Sequence, residues 1–157
     1  MKKFINHVDH VTWISRLENV EKHVADLEAI TDGKLLRFER ADMGFVMYLD
    51  WDSGLEVVAP MDEKTPFNQA LHDRLEKHGE GLLGIVFGVP DLEKHKEKLE
   101  AKGFFVGPLM DDLPTSPWHH RIVLRERMGP EVLNSWMVFG QIDYQDDVIQ
   151  FVDVNEK

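Results

Sequence analysis

The spacing of apolar and polar positions changes between strand-like and helix-like along the first part of the chain, and the same succession returns in the second part. Residues 5–14 alternate and are rich in β-branched side chains, which predicts a strand. Residues 19–30 carry Val20, Val24 and Leu27 at helical spacing before Gly33. Three further strands are predicted at residues 35–40, 44–51 and 55–59. Residues 1–61 therefore predict a βαβββ module.

The same order of elements returns after a helical linker, which we place at residues 62–81. Thr65 and Pro66 suit the start of a helix, and the glycines at 79 and 81 suit its end. The elements predicted beyond the linker are a strand at 82–89, a helix at 90–102, a short extension at 104–106, and strands at 119–125, 135–140 and 148–154. Residues 82–157 thus predict a second βαβββ module.

The fold class that follows is α+β, with the two tandem βαβββ modules forming a curved mixed sheet around a cavity in one compact unit. The second module is longer than the first, and most of the added length lies between Gly107 and Asn134. That stretch contains four prolines, so it predicts a long loop that faces the substrate or covers the cavity.

Composition narrows the classes of function. The chain has 157 residues, 43% of them hydrophobic, and a net charge of −11, which argues against a surface for nucleic acid or for an anionic membrane. It has no cysteine, so disulfides, zinc–thiolate sites and thiol nucleophiles are excluded. No stretch has the pattern of a signal peptide or of a membrane-spanning helix. We expect a cytoplasmic protein that binds a small molecule.

The strand periods suggest where that molecule binds. In the first strand His10 shares a face with Thr12, and in the fourth strand Glu56 shares a face with Val58. If the helix covers the more apolar faces, His10 and Glu56 lie on the open face and converge. The matching positions of the second module are taken as Gly84 and Gln150. This pairing of positions predicts one site built from His10, Glu56 and Gln150, beside the space at Gly84.

Two chemistries suit those residues. Imidazole nitrogen and carboxylate and amide oxygen are donors for a divalent ion such as Zn, Mn, Co, Ni or Fe(II), held weakly because Gly84 supplies no donor and Gln150 only a neutral one. Alternatively, His10 as an imidazolium pairs with Glu56 without any metal, because a carboxylate in the apolar run LEVVAP needs a partner. Glu56 is the candidate catalytic base in either case.

The chain resembles the vicinal-oxygen-chelate superfamily, which includes glyoxalase I, extradiol dioxygenases, methylmalonyl-CoA epimerase and fosfomycin- and bleomycin-resistance proteins. The resemblance rests on VDHV in the first strand, on LEVVAPMDEKTP, and on LEKHGEGLLGIVFGVPDLEKHKEKLEAKGF, and it is nearest to the epimerase branch. It implies metal ligands at His10 and Glu56, departs from the family at Gly84 and in part at Gln150, and implies a homodimer.

Other candidate binding residues cluster around the long loop. His119 or His120 could supply the missing imidazole if the strand begins there, although both could instead lie in a loop before it. Arg121 and Arg125 would share a strand face and could bind a carboxylate or phosphate. Trp118 is the better candidate for a pocket wall, whereas Trp13 is expected to pack under the first helix.

These features predict a glyoxalase- or dioxygenase-like enzyme that acts on a small organic substrate in the sheet cavity. The class of reaction would be that of a lyase, isomerase or oxygenase, with a metal acting on a substrate oxygen if one is bound. The alternative is a metal-free protein of the same fold that binds a small molecule, as resistance proteins do. Turnover of a bound compound distinguishes the two hypotheses.

Overall fold

The computed structural model describes residues 2–4, 7–145 and 150–152, and the side chains of residues 7–145. Within this part of the chain, no helix has both the length and the apolar character needed to cross a membrane. The strands are β1 (Lys2–Phe4), β2 (His7–Ile14), β3 (Leu36–Arg40), β4 (Phe45–Asp50), β5 (Leu55–Pro60), β6 (Gly81–Gly88), β7 (Leu109–Asp111), β8 (Ile122–Val132), β9 (Ser135–Tyr144) and β10 (Gln150–Val152). The helices are α1 (Val20–Thr31), α2 (Pro66–His78) and α3 (Leu92–Ala101).

The chain divides into two compact units, one of residues His10–Leu83 and one of residues Met1–Asp9 with Gly84–Lys157. In the first of these the strand order is β3-β4-β5-β2. β2 runs parallel to β5, whereas β3–β4 and β4–β5 are antiparallel hairpin partners. This order is the βαβββ module predicted from the first 61 residues.

Helix α1 packs on one face of that sheet. Val20 and Val24 of the helix are buried in a cluster with alternate residues of the two central strands, namely Val46, Tyr48, Val57 and Ala59. Because side chains alternate along a strand, Glu56 and Val58 point to the opposite face. The sequence period of the first module therefore assigned both faces of β5 correctly.

Helix α2 begins where the sequence predicted, at the Thr65–Pro66 pair. The Thr65 hydroxyl accepts a hydrogen bond from the backbone N–H of Asn68, and the Asn68 side chain accepts one from the backbone N–H of Thr65. This reciprocal arrangement satisfies two amide groups that a helix start leaves without partners. Leu71 and Leu75 are buried on the inner side of the helix.

In the other unit the four-stranded order is β6-β9-β8-β7, and β1 pairs in parallel with β10 as a separate two-stranded sheet. β6 runs parallel to β9, as β2 does to β5. The predicted α+β class, with two βαβββ modules and strands of mixed direction, is confirmed. The assignment of residues 148–154 to the last strand of the second module is wrong, since β9 takes that place and β10 pairs with β1.

The predicted long loop between Gly107 and Asn134 is also largely wrong, because it contains β7 and all of β8. No strand forms at residues 104–106, and β8 begins at Ile122 rather than at residue 119. Pro130, one of the four prolines that indicated a loop, lies within β8, where the β8–β9 register shifts between Met128 and Glu131. Such a bulge lets a strand carry a proline that cannot donate to the ladder. The irregular segment is limited to residues 112–121.

Candidate functional site

Three polar side chains meet on the face of the first module that lies opposite α1. The β2–β5 register places Thr12 beside Glu56, and the Thr12 hydroxyl donates a hydrogen bond to Oε2 of that carboxylate. His10, two residues before Thr12 on the same face, has its Nε2 3.6 Å from the same oxygen. All three residues are buried. The structure thus brings together the His10 and Glu56 pair predicted from sequence.

Exposure distinguishes the two ionisable members of this group. The His10 side chain is 2% exposed, and the Glu56 side chain is 9% exposed. The imidazole also lies edge-on against the Trp51 indole, with ring centroids 5.7 Å apart. The carboxylate is therefore the group of the pair that a small molecule can contact, while the imidazole is held within the protein.

A tight turn fixes the position of Glu56 along the sheet. Asp50 at the end of β4 is buried, and its carboxylate accepts hydrogen bonds from the Ser53 hydroxyl at 2.6 Å and the Asp52 amide at 3.1 Å. Gly54 closes the turn with a φ of 68°, a left-handed conformation that favours glycine. The β4–β5 register that follows pairs Glu56 with Leu49. The turn chemistry therefore selects which residue of LEVVAP faces His10.

Thr12 was not among the residues singled out from sequence. Its position two residues after His10 was the available signal, because alternation puts both on one face. A hydroxyl that donates to a buried carboxylate both compensates for lost hydration and fixes the orientation of the carboxylate.

The second module has no polar counterpart of this group. If Gly84 corresponds to His10, the residue corresponding to Thr12 is Val86, and the β6–β9 register pairs it with Val138. Val86 and Val138 are both buried and apolar. The match of Gln150 to Glu56 is therefore wrong, because Gln150 lies in β10 outside this four-stranded order. The side chain of Gln150 lies outside the described residues.

Gly84 has a packing role that sequence alone did not indicate. A Cβ added there would lie 2.7 Å from the backbone oxygen of Trp136 and 3.3 Å from the Trp136 Cβ. Real Cβ atoms do not approach a backbone atom that closely, so β9 would have to move. The glycine therefore permits the close approach of β6 and β9, rather than only leaving space beside the site.

We expect Gly84→Ala to lower the free energy of unfolding by roughly 1–3 kcal/mol, because the added methyl group forces a backbone shift. Urea denaturation followed by circular dichroism measures this. Gly103→Ala is not a suitable control, because the φ of 84° at Gly103 would strain an alanine whatever the packing. Ala101→Gly at the exposed end of α3 serves as the control. An unchanged midpoint for Gly84→Ala would contradict the close-packing role.

The donor set does not fit a resident divalent metal. Metal sites in proteins generally use three or four protein ligands. In the first module His10 and Glu56 provide two. Among the described residues, no three histidine, aspartate or glutamate side chains come together as a metal-binding group.

Most of the other predicted binding residues lie in or beside the segment 112–121. His119 and His120 lie in the turn before β8, as the alternative interpretation held, so neither is placed by a strand. The His119 Nδ1 lies 3.5 Å from the buried Asp112 carboxylate, which also accepts a 2.8 Å hydrogen bond from Ser116. His120 is exposed.

Trp118, by contrast, is buried, at 3% exposure. The prediction that Arg121 and Arg125 share a strand face is wrong, because Arg121 precedes β8 and lies in the turn. Arg125 forms an ion pair with Asp111 at 3.2 Å. The structure therefore does not gather these residues into one anion-binding cluster.

A second buried polar group was not predicted. The Asp9 carboxylate accepts a 3.0 Å hydrogen bond from the Tyr144 hydroxyl, and its Oδ2 lies 3.2 Å from the His7 Nε2. Burial raises the pKa of Tyr144 strongly, and the neighbouring negative charge and hydrogen bond of Asp9 raise it further. The tyrosine is therefore a permanent hydrogen-bond donor that helps to hold the Asp9 carboxylate.

The chain is similar to several solved structures. Hypothetical protein BH1468 from Bacillus halodurans C-125 matches with a TM-score of 0.67 at 17% identity, covering 89% of this chain and 96% of that one. Methylmalonyl-CoA epimerase from Mycobacterium tuberculosis matches with a TM-score of 0.64 at 16% identity, covering 85% and 86%. A methylmalonyl-CoA epimerase in complex with methylmalonyl-CoA and NH4+ matches with a TM-score of 0.68 at 17% identity, covering 87% and 94%.

No protein-family model and no curated protein matches the sequence. The structural likenesses show the fold alone: the chain folds like BH1468 and the methylmalonyl-CoA epimerases. At this level of identity they carry no information about the reaction.

Proposed function

We propose that the protein is an enzyme that removes a proton from carbon next to a carbonyl group of a small organic substrate, with Glu56 as its single base. The observation that carries this proposal is the buried Thr12–Glu56–His10 group on the face of the sheet opposite α1. The substrate class we favour is a small acyl-CoA thioester, because similar structures include epimerases solved with methylmalonyl-CoA and 2-nitronate-propionyl-CoA.

Glu56 has the surroundings that a general base needs. One carboxylate oxygen, Oε2, is held by the Thr12 hydroxyl, which leaves Oε1 to face a reacting C–H bond. The carboxylate is largely buried, where a charge gains little from water, and it keeps a small exposed area through which a substrate can reach it.

The proton transfer can be followed atom by atom. The C–H bond breaks, its proton forms an O–H bond on Glu56, and the electron pair moves onto the carbonyl oxygen as an enolate. The His10 Nε2 lies 3.6 Å from Oε2 and adjoins the carboxylate during this step. Return of the proton from Glu56 to carbon restores the substrate and the free base. A general base of this kind contributes about 10²–10⁴ in rate.

The arrangement of His10 and Glu56 suggests the stereochemistry. Inversion at a carbon centre requires a proton to leave on one side and to return on the other, which generally needs a second acid. His10 Nε2 and Glu56 Oε2 lie 3.6 Å apart, so both groups would reach a substrate carbon from the same side. We therefore propose that proton exchange at this carbon retains its configuration. Any net reaction then starts from the enolate and does not involve protonation of the opposite face of the enolate.

Deuterium incorporation tests the proposed activity. The full-length protein is incubated in D₂O with propionyl-CoA, methylmalonyl-CoA and small 2-oxo acids, and mass spectrometry follows the gain of one mass unit next to the carbonyl. The proposal predicts protein-dependent exchange for at least one carbonyl class. If compounds bind, as seen by thermal shift, but none exchanges, the alternative of a metal-free binding protein is supported instead.

The activity is expected to be independent of added or removed metal. Because two donors hold a divalent ion poorly, protein purified without chelators should carry well below one equivalent of Zn, Mn, Co, Ni or Fe by elemental analysis, and excess EDTA should leave the exchange rate unchanged. His10→Ala should leave the metal content as low as before. A full equivalent of metal that is lost in His10→Ala would contradict the metal-free account.

A further inference from the structure

A second site lies on the other face of the first module, between α1 and the beginning of β6. It is a groove of about 330 Å³. That volume is at the lower end of the range for small-molecule pockets. Its floor is apolar, and its polar groups lie on one side. The apolar lining includes Trp13, Leu27 and Val57, and the polar lining includes Ser15, His23, Asp26 and Glu80.

The polar side is organised around Glu80. Its Oε1 accepts hydrogen bonds from the backbone N–H of Arg16 at 2.8 Å, from the Ser15 hydroxyl at 3.1 Å and from the side-chain amide of Asn19 at 3.1 Å. Partial burial alone would raise the pKa of Glu80, but these hydrogen bonds and the nearby His23 outweigh it and lower the pKa. Glu80 is therefore a carboxylate at neutral pH, and it holds the turn before α1 in place.

The same contacts determine which nitrogen of His23 carries a proton. Ser15 Oγ lies 2.9 Å from the His23 Nδ1, and its other two partners are the Glu80 carboxylate and the Arg16 carbonyl oxygen. Both of those partners can only accept, so the single hydroxyl proton goes to one of them. Nδ1 of His23 must then donate to Ser15. In the neutral ring this leaves Nε2 with a lone pair, and the side chain is 38% exposed at the groove.

The groove therefore offers acceptors to a ligand: the His23 Nε2 and the carboxylates of Glu80 and Asp26. The Asp26 side chain is 56% exposed and pairs with Lys22 on the outer side of α1. The half-buried indole of Trp13 adds a π-face, which attracts cations. A donor-bearing cation with an apolar body satisfies all of these groups, whereas an anion would be repelled by the carboxylates of Glu80 and Asp26.

From this juxtaposition of acceptors and aromatic floor we infer that the groove binds a small organic amine in its ammonium form, with the N–H groups on His23 and Glu80 and the apolar body on Trp13 and Leu27. This site is separate from the Glu56 group, because Trp13 and Val57 point to the sheet face opposite Thr12 and Glu56. It does not depend on the proposed reaction.

The test uses 2-phenylethylammonium as the probe, with the full-length protein, titration calorimetry and NMR detection of the Trp13 indole resonance. The anion 3-phenylpropanoate has a similar length and the opposite charge, so it is the control ligand. We expect saturable binding of the ammonium with a shift of the Trp13 signal, and no saturation with the anion.

Two variants locate the binding. His23→Phe keeps an aromatic ring but removes the Nε2 acceptor. It should raise the dissociation constant roughly ten- to a hundredfold, which is the effect of losing a hydrogen bond to a charged group. Leu27→Trp fills the groove and should abolish binding, whereas Ile30→Trp on the same helix, at a position 79% exposed and outside the groove, should not. Equal binding of the anion, no saturation with the ammonium, or unchanged affinity in both His23→Phe and Leu27→Trp would overturn the inference.

Discussion

Glu56→Gln is expected to reduce the rate of deuterium exchange by roughly 10²–10⁴ while leaving the fold intact. The amide oxygen of glutamine can still accept the hydrogen bond from Thr12, so the side chain keeps its place between β2 and β5. It can no longer take a proton from carbon. The substrate dissociation constant should change much less than the rate, since the carboxylate is assigned to proton transfer rather than to binding.

The matched control for this variant is Glu76→Gln. Glu76 is an exposed carboxylate on α2 of the same compact unit, and its substitution changes the net charge by the same amount. The exchange rate of Glu76→Gln should equal that of the unmodified protein. A Glu56→Gln protein that is folded, binds substrate and exchanges at the unmodified rate would remove Glu56 from the reaction.

Asn68→Ala is expected to lower the free energy of unfolding by about 3 kcal/mol, which is large for the removal of one polar side chain. The side chain is completely buried and accepts from the Thr65 amide at 2.8 Å. Its amide group donates to the carbonyl oxygens of Gly44, Met61 and Glu63 at 2.8, 3.1 and 2.8 Å. Alanine would leave these buried groups without this partner and detach the start of α2 from the end of β5.

Chemical denaturation of the variant and of Gln69→Ala checks this expectation. Gln69 is the adjacent residue of α2, and its side chain donates to Asp73 on the helix surface at 2.8 Å, so its substitution should change stability by less than about 0.5 kcal/mol. Asn68→Asp should be no more stable than Asn68→Ala, because it places carboxylate oxygens against three carbonyl groups. A loss below about 1 kcal/mol for Asn68→Ala would contradict this tethering role.

The first module was predictable because its local signals agree with one another. Alternation in VDHVTWI and LEVVAP gave both the strands and the faces, and the Thr65–Pro66 pair marked the start of α2. The role of Asn68 was not visible, because the usual reciprocal cap has Glu or Gln at that position and Asn can also occupy an exposed first turn. Its value depends on three carbonyl groups, those of Gly44, Met61 and Glu63, and the first of them lies 24 residues away in the sequence.

The second module was harder because tertiary structure overrides its local signals. Gly129 and Pro130 normally indicate a loop, yet a bulge lets β8 pass through them to pair with β9. The apolar run at residues 148–154 was therefore taken as the last strand of the second module. In the structure, β9 is the strand that pairs in parallel with β6. As a result, Gln150 was taken as the counterpart of Glu56, whereas the strand pairing gives Val138 that position in the second module.

The groove beside α1 could not be found from periodicity. Alternation correctly placed Trp13 on the face that α1 covers, and that placement alone favours a packed core residue. The indole is half buried, and the groove that it lines is bounded by Glu80, which lies beyond α2 in the sequence and binds the turn before α1. A contact between residues so far apart in sequence has no local signature.

The stereochemical course of exchange tests the central claim most directly. A single enantiomer of methylmalonyl-CoA, or of another substrate that exchanges, is incubated in D₂O with EDTA, and deuterium content and configuration are measured on the same sample. One base at Glu56, with His10 on the same side of the substrate, predicts deuterium entry with the starting configuration retained, in excess of the uncatalysed rate. Inversion that keeps pace with deuterium entry would show a second acid and contradict the account.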